Sequence, residues 1–205
     1  MIEKTHVYKL YGIPYLGSMV VEFLMEDVGI EYEIIFPSPE ERRSAEFKNI
    51  SPRGLVPVLI TPNGSSIFEG LAIIKFLLET HQTDLIAPIG NPDRAKCYQW
   101  LSFLATALGN ANNRFFFPER YGSDENDIRE RAELDRKSCY DILENYSDPF
   151  LSGKIYGIAD FYFYMFMQWD ENKMVELAKR PNLEKMYNQI NQISSIQKVI
   201  KNQPS

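Results

Sequence analysis

The sequence is poor in the residues that most reactive sites draw on. It has two cysteines, Cys97 and Cys139, and two histidines, His6 and His81. The cysteines lie far apart in no paired motif, which argues against a disulfide framework and for a reducing compartment. With so few thiols and imidazoles, no metal site is expected. No apolar run reaches the roughly 20 residues that span a bilayer, the greasiest being Phe161 to Trp169. Met1-Ile2-Glu3-Lys4 opens no apolar signal region. Basic residues number 22 against 28 acidic ones, a net charge of −6 with no basic run, which argues against nucleic acid and anionic membranes as main partners. There is no phosphate loop, no G-x-S-x-G and no internal repeat. A cytoplasmic protein is expected. Its 205 residues suffice for one large domain or two small ones, and 44% hydrophobic with 24% charged residues is an ordinary globular composition.

What the sequence does have is concentrated in Ser51 to Phe76, SPRGLVPVLITPNGSSIFEGLAIIKF. Pro57 sits inside the apolar run Val56-Pro57-Val58-Leu59. Lacking an N–H, it belongs at a strand edge, a strand start or a bulge. It also pushes Val56 to extended geometry, leaving the Val56 N–H and C=O to face another partner. A cis Val56-Pro57 bond would turn both groups outward together. Val58 to Ile60 reads as a buried strand, Pro62-Asn63-Gly64-Ser65 as a hairpin turn and Ser66 to Phe68 as the returning strand. Glu69-Gly70 then precedes apolar residues at helical spacing, Leu71 to Leu78. A free backbone pair, a carboxylate and bare N–H groups at a helix start suit the two ends of a peptide-like ligand. Glu69 would meet an ammonium, and the N–H groups near Gly70 a carboxylate.

Upstream, Thr5 to Tyr11 alternates as a strand that contains His6. Gly12-Ile13-Pro14 breaks it. Met19, Val20, Phe23, Leu24 and Val28 share one helical face, with Gly29 as C-terminal cap. Glu31 to Phe36 is a second strand, which completes a right-handed βαβ unit, and Glu40 to Lys48 is a short polar helix or loop. His81 to Asp93 is rich in breakers and reads as a linker. Arg94 to Phe117 and Asp124 to Tyr146 follow as long helices, the second with Ile128, Leu134, Ile142 and Leu143 inward. Both cysteines fit helical core faces, as inert thiols. Gly157 to Asp160 has capping-box spacing, with Tyr156 and Phe161 as the hydrophobic staple. Phe161 to Trp169 is a core helix, and Arg180-Pro181-Asn182-Leu183 opens the last helices.

The wording SPRGLVPVL…IFEGLAIIKFL resembles the glutathione-binding core of the bacterial-type glutathione S-transferases, N-P-x-G-x-V-P-x-L followed by E/Q-S-x-A-I. The resemblance runs from about Tyr8 to Ile200. It implies an α/β N-terminal thioredoxin-like domain (1–80), a linker (81–93) and an all-α C-terminal domain (94–205), paired as a homodimer. It implies conjugation of glutathione, as co-substrate, to a small apolar electrophile, the chemistry of detoxification. By this carry-over Val56 pairs its backbone with the cysteinyl moiety after Pro57, Glu69 holds the γ-glutamyl ammonium, and the Gly70 N–H meets the γ-glutamyl carboxylate. Gly70 replaces the usual serine, and Leu55 stands where a polar side chain is common. Arg53 occupies the place of an aromatic dimer key, implying a more polar interface. Gly157 replaces the Ser or Thr of the family's S/T-x-A-D.

The thiol-activating donor of the family lies in the first strand-to-helix turn, here Tyr11-Gly12-Ile13-Pro14-Tyr15-Leu16-Gly17-Ser18. The tyrosine-using classes carry their tyrosine where Gly12 stands, the beta class its cysteine at Gly17, and the serine or cysteine classes their nucleophile-facing residue at Tyr15. The hydroxyls on offer are Tyr15 first, Ser18 second, with a helix cap as its alternative role, and Tyr11 third, with strand-end packing as its alternative. Tyr98, Phe103, Leu108, Asn112 and Phe116 are candidates to line the electrophile site. A non-catalytic binding or scaffold protein of the same fold, as in stringent-starvation-type members, is the alternative that the irregular turn favours. A glutathione-dependent reductase or peroxidase is a third, which the lack of a cysteine near Pro14 counts against.

Overall fold

The computed structural model describes residues 7–146 and 148–204, in two compact units. One comprises Met1–Asp84 with Asn191–Ser205, the other Leu85–Ile190. The first therefore includes a segment from the far end of the chain, which a division at residues 81–93 leaves with the helical half.

The first unit is a four-stranded mixed sheet in the order β2-β1-β3-β4, the thioredoxin-like arrangement. β1 (Tyr8–Tyr11) runs parallel to β2 (Tyr32–Ile35) and antiparallel to β3 (Val58–Ile60), which pairs antiparallel with β4 (Ser66–Phe68). Thr5 and His6, expected in the first strand, lie outside the described residues. Leu10 is fully buried between Ile34 and Leu59 in the register. α1 (Met19–Val28) buries Met19, Val20, Val21, Phe23, Leu24 and Met25. Each such side chain contributes roughly 1.5–3 kcal/mol on burial. Gly29 ends α1 at φ 77°, its N–H on the Met25 carbonyl, a left-handed cap that a Cβ would disfavour. The polar stretch after β2 becomes two short helices, α2 (Pro39–Arg43) and α3 (Ala45–Ile50), begun by Ser38 and Ser44 caps. α4 (Gly70–Thr80) buries Ile73, Ile74, Leu77 and Leu78.

The last helix, α11 (Ser194–Asn202), packs along α1 and buries Ile196 and Val199. Three polar contacts fix its register on α1. Ser195 Oγ donates to Asp27 Oδ1 at 2.7 Å, Lys198 Nζ meets Glu26 Oε2 at 2.5 Å, and Gln203 Nε2 donates to Glu22 Oε2 at 3.1 Å. Glu22 is almost fully buried and its Oε1 has no partner among the described residues. Burial pushes its carboxyl up to about 7; the Gln203 amide opposes the shift and the Glu26 charge adds to it.

The second unit is helical: α5 (Pro92–Phe103), α6 (Gly109–Phe116), α7 (Glu125–Glu144), α8 (Ile158–Trp169), α9 (Lys173–Leu177) and α10 (Pro181–Ile190). The sequence expects one helix from Arg94 to Phe117; a π-helical turn, Leu104–Leu108, joins its two halves. On α7 the expected inward face needs correction. Leu134 and Ile142 are 68% and 48% exposed, while Ala132, Arg136, Cys139, Tyr140 and Leu143 face inward. The cause is Arg136. Its guanidinium is buried against Asp170 Oδ2 at 2.6 Å and Asn112 Oδ1 at 2.8 Å, and lies 4.2 Å from the Phe115 ring centre. Burying Arg136 turns α7 so that Leu134 and Ile142 face outward while Leu143 stays inside. The same contact, together with full burial of Asn112 and Leu108, places both in the core rather than in a substrate lining. The cysteines are core thiols, both pushed up to about 11, chiefly by burial.

Asp160, in the first turn of α8, is fully buried and accepts the N–H groups of Leu151 (2.7 Å), Ser152 (3.2 Å) and Gly157 (2.9 Å). Tyr156 and Phe161 stack at 5.8 Å as the expected staple. The glycine at the cap has a steric cause. A Cβ on Gly157 would lie 2.4 Å from the Leu85 carbonyl oxygen, which the Ile158 N–H holds in place at 2.9 Å.

Two predictions follow from these buried groups. By capping propensity alone, Gly157→Ser should stabilise by a few tenths of a kcal/mol. The carbonyl contact reverses the sign, and urea unfolding should show a loss of about 1–3 kcal/mol. Glu22 has its folded-state pKa raised from an ordinary 4.5 to about 7. Its contribution is thus fully present below about pH 4.5 and lost as pH rises through about 7. Glu22→Gln removes the titration. Relative to the parent it should gain about 1–3 kcal/mol between pH 5.5 and pH 8 in urea unfolding, and an equal difference at both values would refute the assignment.

Candidate functional site

Three segments of the first unit meet at Pro57: the β1–α1 turn, the loop before β3 and the start of α4. A Cβ on Gly17 would lie 3.8 Å from Pro57 Cδ, and one on Gly70 3.7 Å from Pro57 Cγ, so both backbones pass within contact range of the proline ring. The Val56–Pro57 peptide bond is cis, and the Val56 N–H and C=O take no hydrogen-bond partner among the described residues. The Val56 side chain packs on the cluster of Phe47, Val58 and Ile60. The loop that presents it is held by Ser51, whose Oγ donates to the Leu55 carbonyl at 2.7 Å and accepts the Leu55 N–H at 3.1 Å. Gly54 makes the loop possible: at φ 64° it passes so close to the Arg42 carbonyl that a Cβ would sit 2.5 Å from the oxygen. Leu55 is exposed, as its place in the loop implied.

At the head of α4, Glu69 occupies the cap position at φ 72° and ψ 118°. Its carboxylate makes no capping hydrogen bond, so the plain role of a helix cap is not the one it fills. Its side chain is exposed, and the Gly70 and Leu71 N–H groups have no protein partner among the described residues. A carboxylate beside bare helix N–H groups offers one end to a cation and the other to an anion.

The β1–α1 turn sorts the three candidate hydroxyls. Ser18 is 1% exposed, and its Oγ donates to the Ile13 carbonyl at 3.3 Å. It also fills the space where a side chain on residue 12 would go: a Cβ on Gly12 would lie 2.3 Å from Ser18 Oγ. This exchange of bulk explains why glycine stands at the tyrosine position. Tyr11 ends the strand in an edge-on contact with Phe47 at 5.6 Å, a packing role. Tyr15 is 42% exposed, and its phenol has no hydrogen-bond partner among the described residues. Its backbone is at φ 60°, and its N–H donates to Gln203 Oε1 at 2.9 Å.

Tyr15 and Glu69 are the only residues other than glycine with positive φ among the described residues, and each lies within two positions of a glycine, Gly17 or Gly70, whose backbone passes Pro57. Such conformations cost roughly 1–3 kcal/mol each and collect at ligand sites, where the surroundings over-determine them. The sequence offers Tyr15, Val56, Pro57, Glu69 and Gly70 as candidates, and the segments that carry them meet here; nothing in it points to Gln203. That residue lies in a polar tail 188 positions from Tyr15, and no local pattern marks it.

Comparison with known proteins agrees with this geometry. Residues 6–79 match the glutathione S-transferase N-terminal domain. Glutathione S-transferase GstA of Escherichia coli O157:H7 is 25% identical over 165 residues, 78% of this chain and 81% of that protein. The GST-like protein YncG of Escherichia coli K12 is 24% identical over 199 residues, 94% of this chain and 97% of its own. A glutathione transferase homologue from Sulfitobacter, solved with bound glutathione, matches at a TM-score of 0.87 and 19% identity, over 96% of this chain and 98% of its own. Residues 6–79 thus belong to the glutathione S-transferase N-terminal domain family, and the fold of the chain is that of the glutathione transferases.

Proposed function

We propose that the protein binds glutathione at the Pro57 site and conjugates it, through its thiol sulfur, to a small apolar electrophile. The observation that carries this reading is the meeting at Pro57 of the turn that bears Tyr15, the Val56 peptide groups without a partner among the described residues, and the start of α4 with Glu69. The Val56 N–H and C=O pair with the cysteinyl residue of glutathione. Glu69 holds the γ-glutamyl ammonium, and the Gly70 N–H its carboxylate. Glutathione bound in the Sulfitobacter homologue supports the same ligand here.

A cysteinyl thiol has a pKa near 8.5, and only its thiolate attacks well. A hydrogen bond donated by the Tyr15 phenol stabilises the thiolate and lowers that pKa. The sulfur lone pair then forms the S–C bond. In substitution the leaving group departs with its electron pair; in addition the adjacent carbon takes a proton. Of the three hydroxyls in the turn only Tyr15 is both exposed and uncommitted, so activation rests on it. The same fact favours a second reading, a member that binds glutathione without turnover. A reductase or peroxidase is disfavoured, since both thiols are buried and pushed up to about 11. The proposal includes a cytoplasmic two-fold homodimer, the commonest closed assembly, with exposed Arg53 giving its interface a polar character.

Calorimetric titration with glutathione tests the reading, and no heat at millimolar ligand would sink both versions of it. Glu69→Gln keeps shape but loses charge, so the dissociation constant should rise about ten- to a hundredfold. Tyr15→Phe should leave affinity nearly intact and lower turnover with chlorodinitrobenzene by about ten- to a hundredfold. Unchanged affinity in the first variant would leave Glu69 without a ligand role; full turnover in the second, with loss in Ser18→Ala, would reverse the order of the hydroxyls. Light scattering should report a dimer, and a stable monomer at micromolar concentration would reject the assembly.

A further inference from the structure

Tyr15 is held in a conformation that its own chemistry disfavours. A Cβ at φ 60° crowds the backbone, and the residue is 42% exposed, so burial does not fix it. The turn around it is bracketed by the Leu16 N–H on the Ile13 carbonyl at 3.2 Å and the Met19 N–H on the Leu16 carbonyl at 3.0 Å. The Tyr15 N–H itself has a different partner: the side chain of Gln203, just past the end of α11.

Gln203 is suited to hold it. The residue is 8% exposed, and both ends of its amide are engaged. Nε2 donates to Glu22 Oε2 at 3.1 Å and Oε1 accepts the Tyr15 N–H at 2.9 Å. The orientation follows from the partners. A peptide N–H only donates, so the amide oxygen turns to Tyr15 and the NH2 group to the Glu22 oxygen. Glu22 lies in the first turn of α1, the helix that begins directly after the Tyr15 turn. α11 is itself fixed on α1 by Ser195 with Asp27 and Lys198 with Glu26. The amide therefore reaches the turn from a rigid two-helix base.

We propose that Gln203 is a positioning residue for the proposed site: its side-chain amide, oriented by Glu22, holds the Tyr15 backbone so that the phenol faces the bound thiol. The inference rests on the reading of Tyr15 as thiol donor, and its backbone part can be tested without ligand. Glutathione contacts assigned to Val56, Glu69 and Gly70 do not involve Gln203. Its loss should therefore act on turnover and thiol ionisation rather than on affinity.

The test uses the full chain with Gln203→Met, which keeps length and loses both hydrogen bonds, and the exchanged pair Glu22→Gln/Gln203→Glu. In the pair, the new amide at 22 donates to the new carboxylate at 203, which still accepts the Tyr15 N–H. Gln203→Met should speed hydrogen exchange of the Tyr15 amide about tenfold or more in the absence of ligand. It should lower kcat with chlorodinitrobenzene about tenfold, raise the apparent pKa of the bound thiol by ultraviolet thiolate absorbance, and leave KM for glutathione unchanged. The exchanged pair should restore kcat and Tyr15 amide protection to within about threefold of the parent. Unchanged amide exchange in Gln203→Met, or an exchanged pair that folds like the parent yet recovers neither quantity, overturns the proposal. If Gln203→Met fails to fold, the exchanged pair against Gln203→Glu alone decides the same question, because the single change sets two carboxylates face to face. A parent that gives no heat with glutathione while Gln203→Met still loosens the Tyr15 amide refutes the conjugation reading, not the clamp. A parent that turns over, with Gln203→Met equal to it in kcat and thiol pKa, refutes the clamp and not the reading.

Discussion

Two side-chain-bearing residues held in left-handed backbone, Tyr15 and Glu69, are the constraint around which the first unit is arranged. Neither conformation persists by local preference, since each costs roughly 1–3 kcal/mol. Each is imposed by structure on both sides. Glu69 lies between a β-hairpin, whose register buries Val58 to Ile60, and a helix whose apolar face fixes where it must begin. Tyr15 lies between strand β1, central in the sheet, and helix α1, buried along most of its length. The sheet and the two helices set the ends; the residues between them take the backbone that remains, in two segments that meet at Pro57.

The places where this chain departs from its family's wording have mechanical causes. Glycine at position 12 is matched by the buried hydroxymethyl of Ser18, which takes the volume a larger side chain would need. Glycine at position 157 is matched by the Leu85 carbonyl, itself bonded by the first N–H of α8. In both cases a neighbour occupies the space, and the substitution that looks like a loss of function or of capping is a consequence of packing. For the first turn, this leaves Tyr15 as the one of the three hydroxyl residues that is exposed.

Buried charge is handled differently in the two units. In the helical unit, Arg136 is nearly surrounded, with Asp170, Glu133, Asn112 and Tyr140 at its guanidinium. A pair of this kind contributes little against an apolar replacement but is costly to break on one side, by about 3–5 kcal/mol. In the first unit, Glu22 is left half-satisfied, with one oxygen on Gln203 and the other unpartnered among the described residues. The first arrangement fixes the rotation of α7; the second ties the C-terminal helix to the turn that carries Tyr15.

The sequence by itself marked most of the elements and the candidate site residues. Hydrophobic periodicity and breakers located β1 through α4 because those signals are local: Pro57 in an apolar run, Asn63-Gly64 at the hairpin, Gly29 at a helix end. Val56, Glu69 and Gly70 were legible for the same reason, lying within 15 positions of one another in a single motif. What the tertiary structure decided was every feature that depends on a partner distant in sequence. The inward face of α7 followed a buried Arg136 whose partner, Asp170, lies 34 positions on, so the visible stripe of Leu134 and Ile142 misled. The different surroundings of Tyr11, Ser18 and Tyr15 came from packing against Phe47 and beside Gly12, which no spacing encodes. Gln203 entered the site only through the packing of α11 on α1, since a hydrogen bond across 188 positions leaves no periodic trace in the chain that makes it.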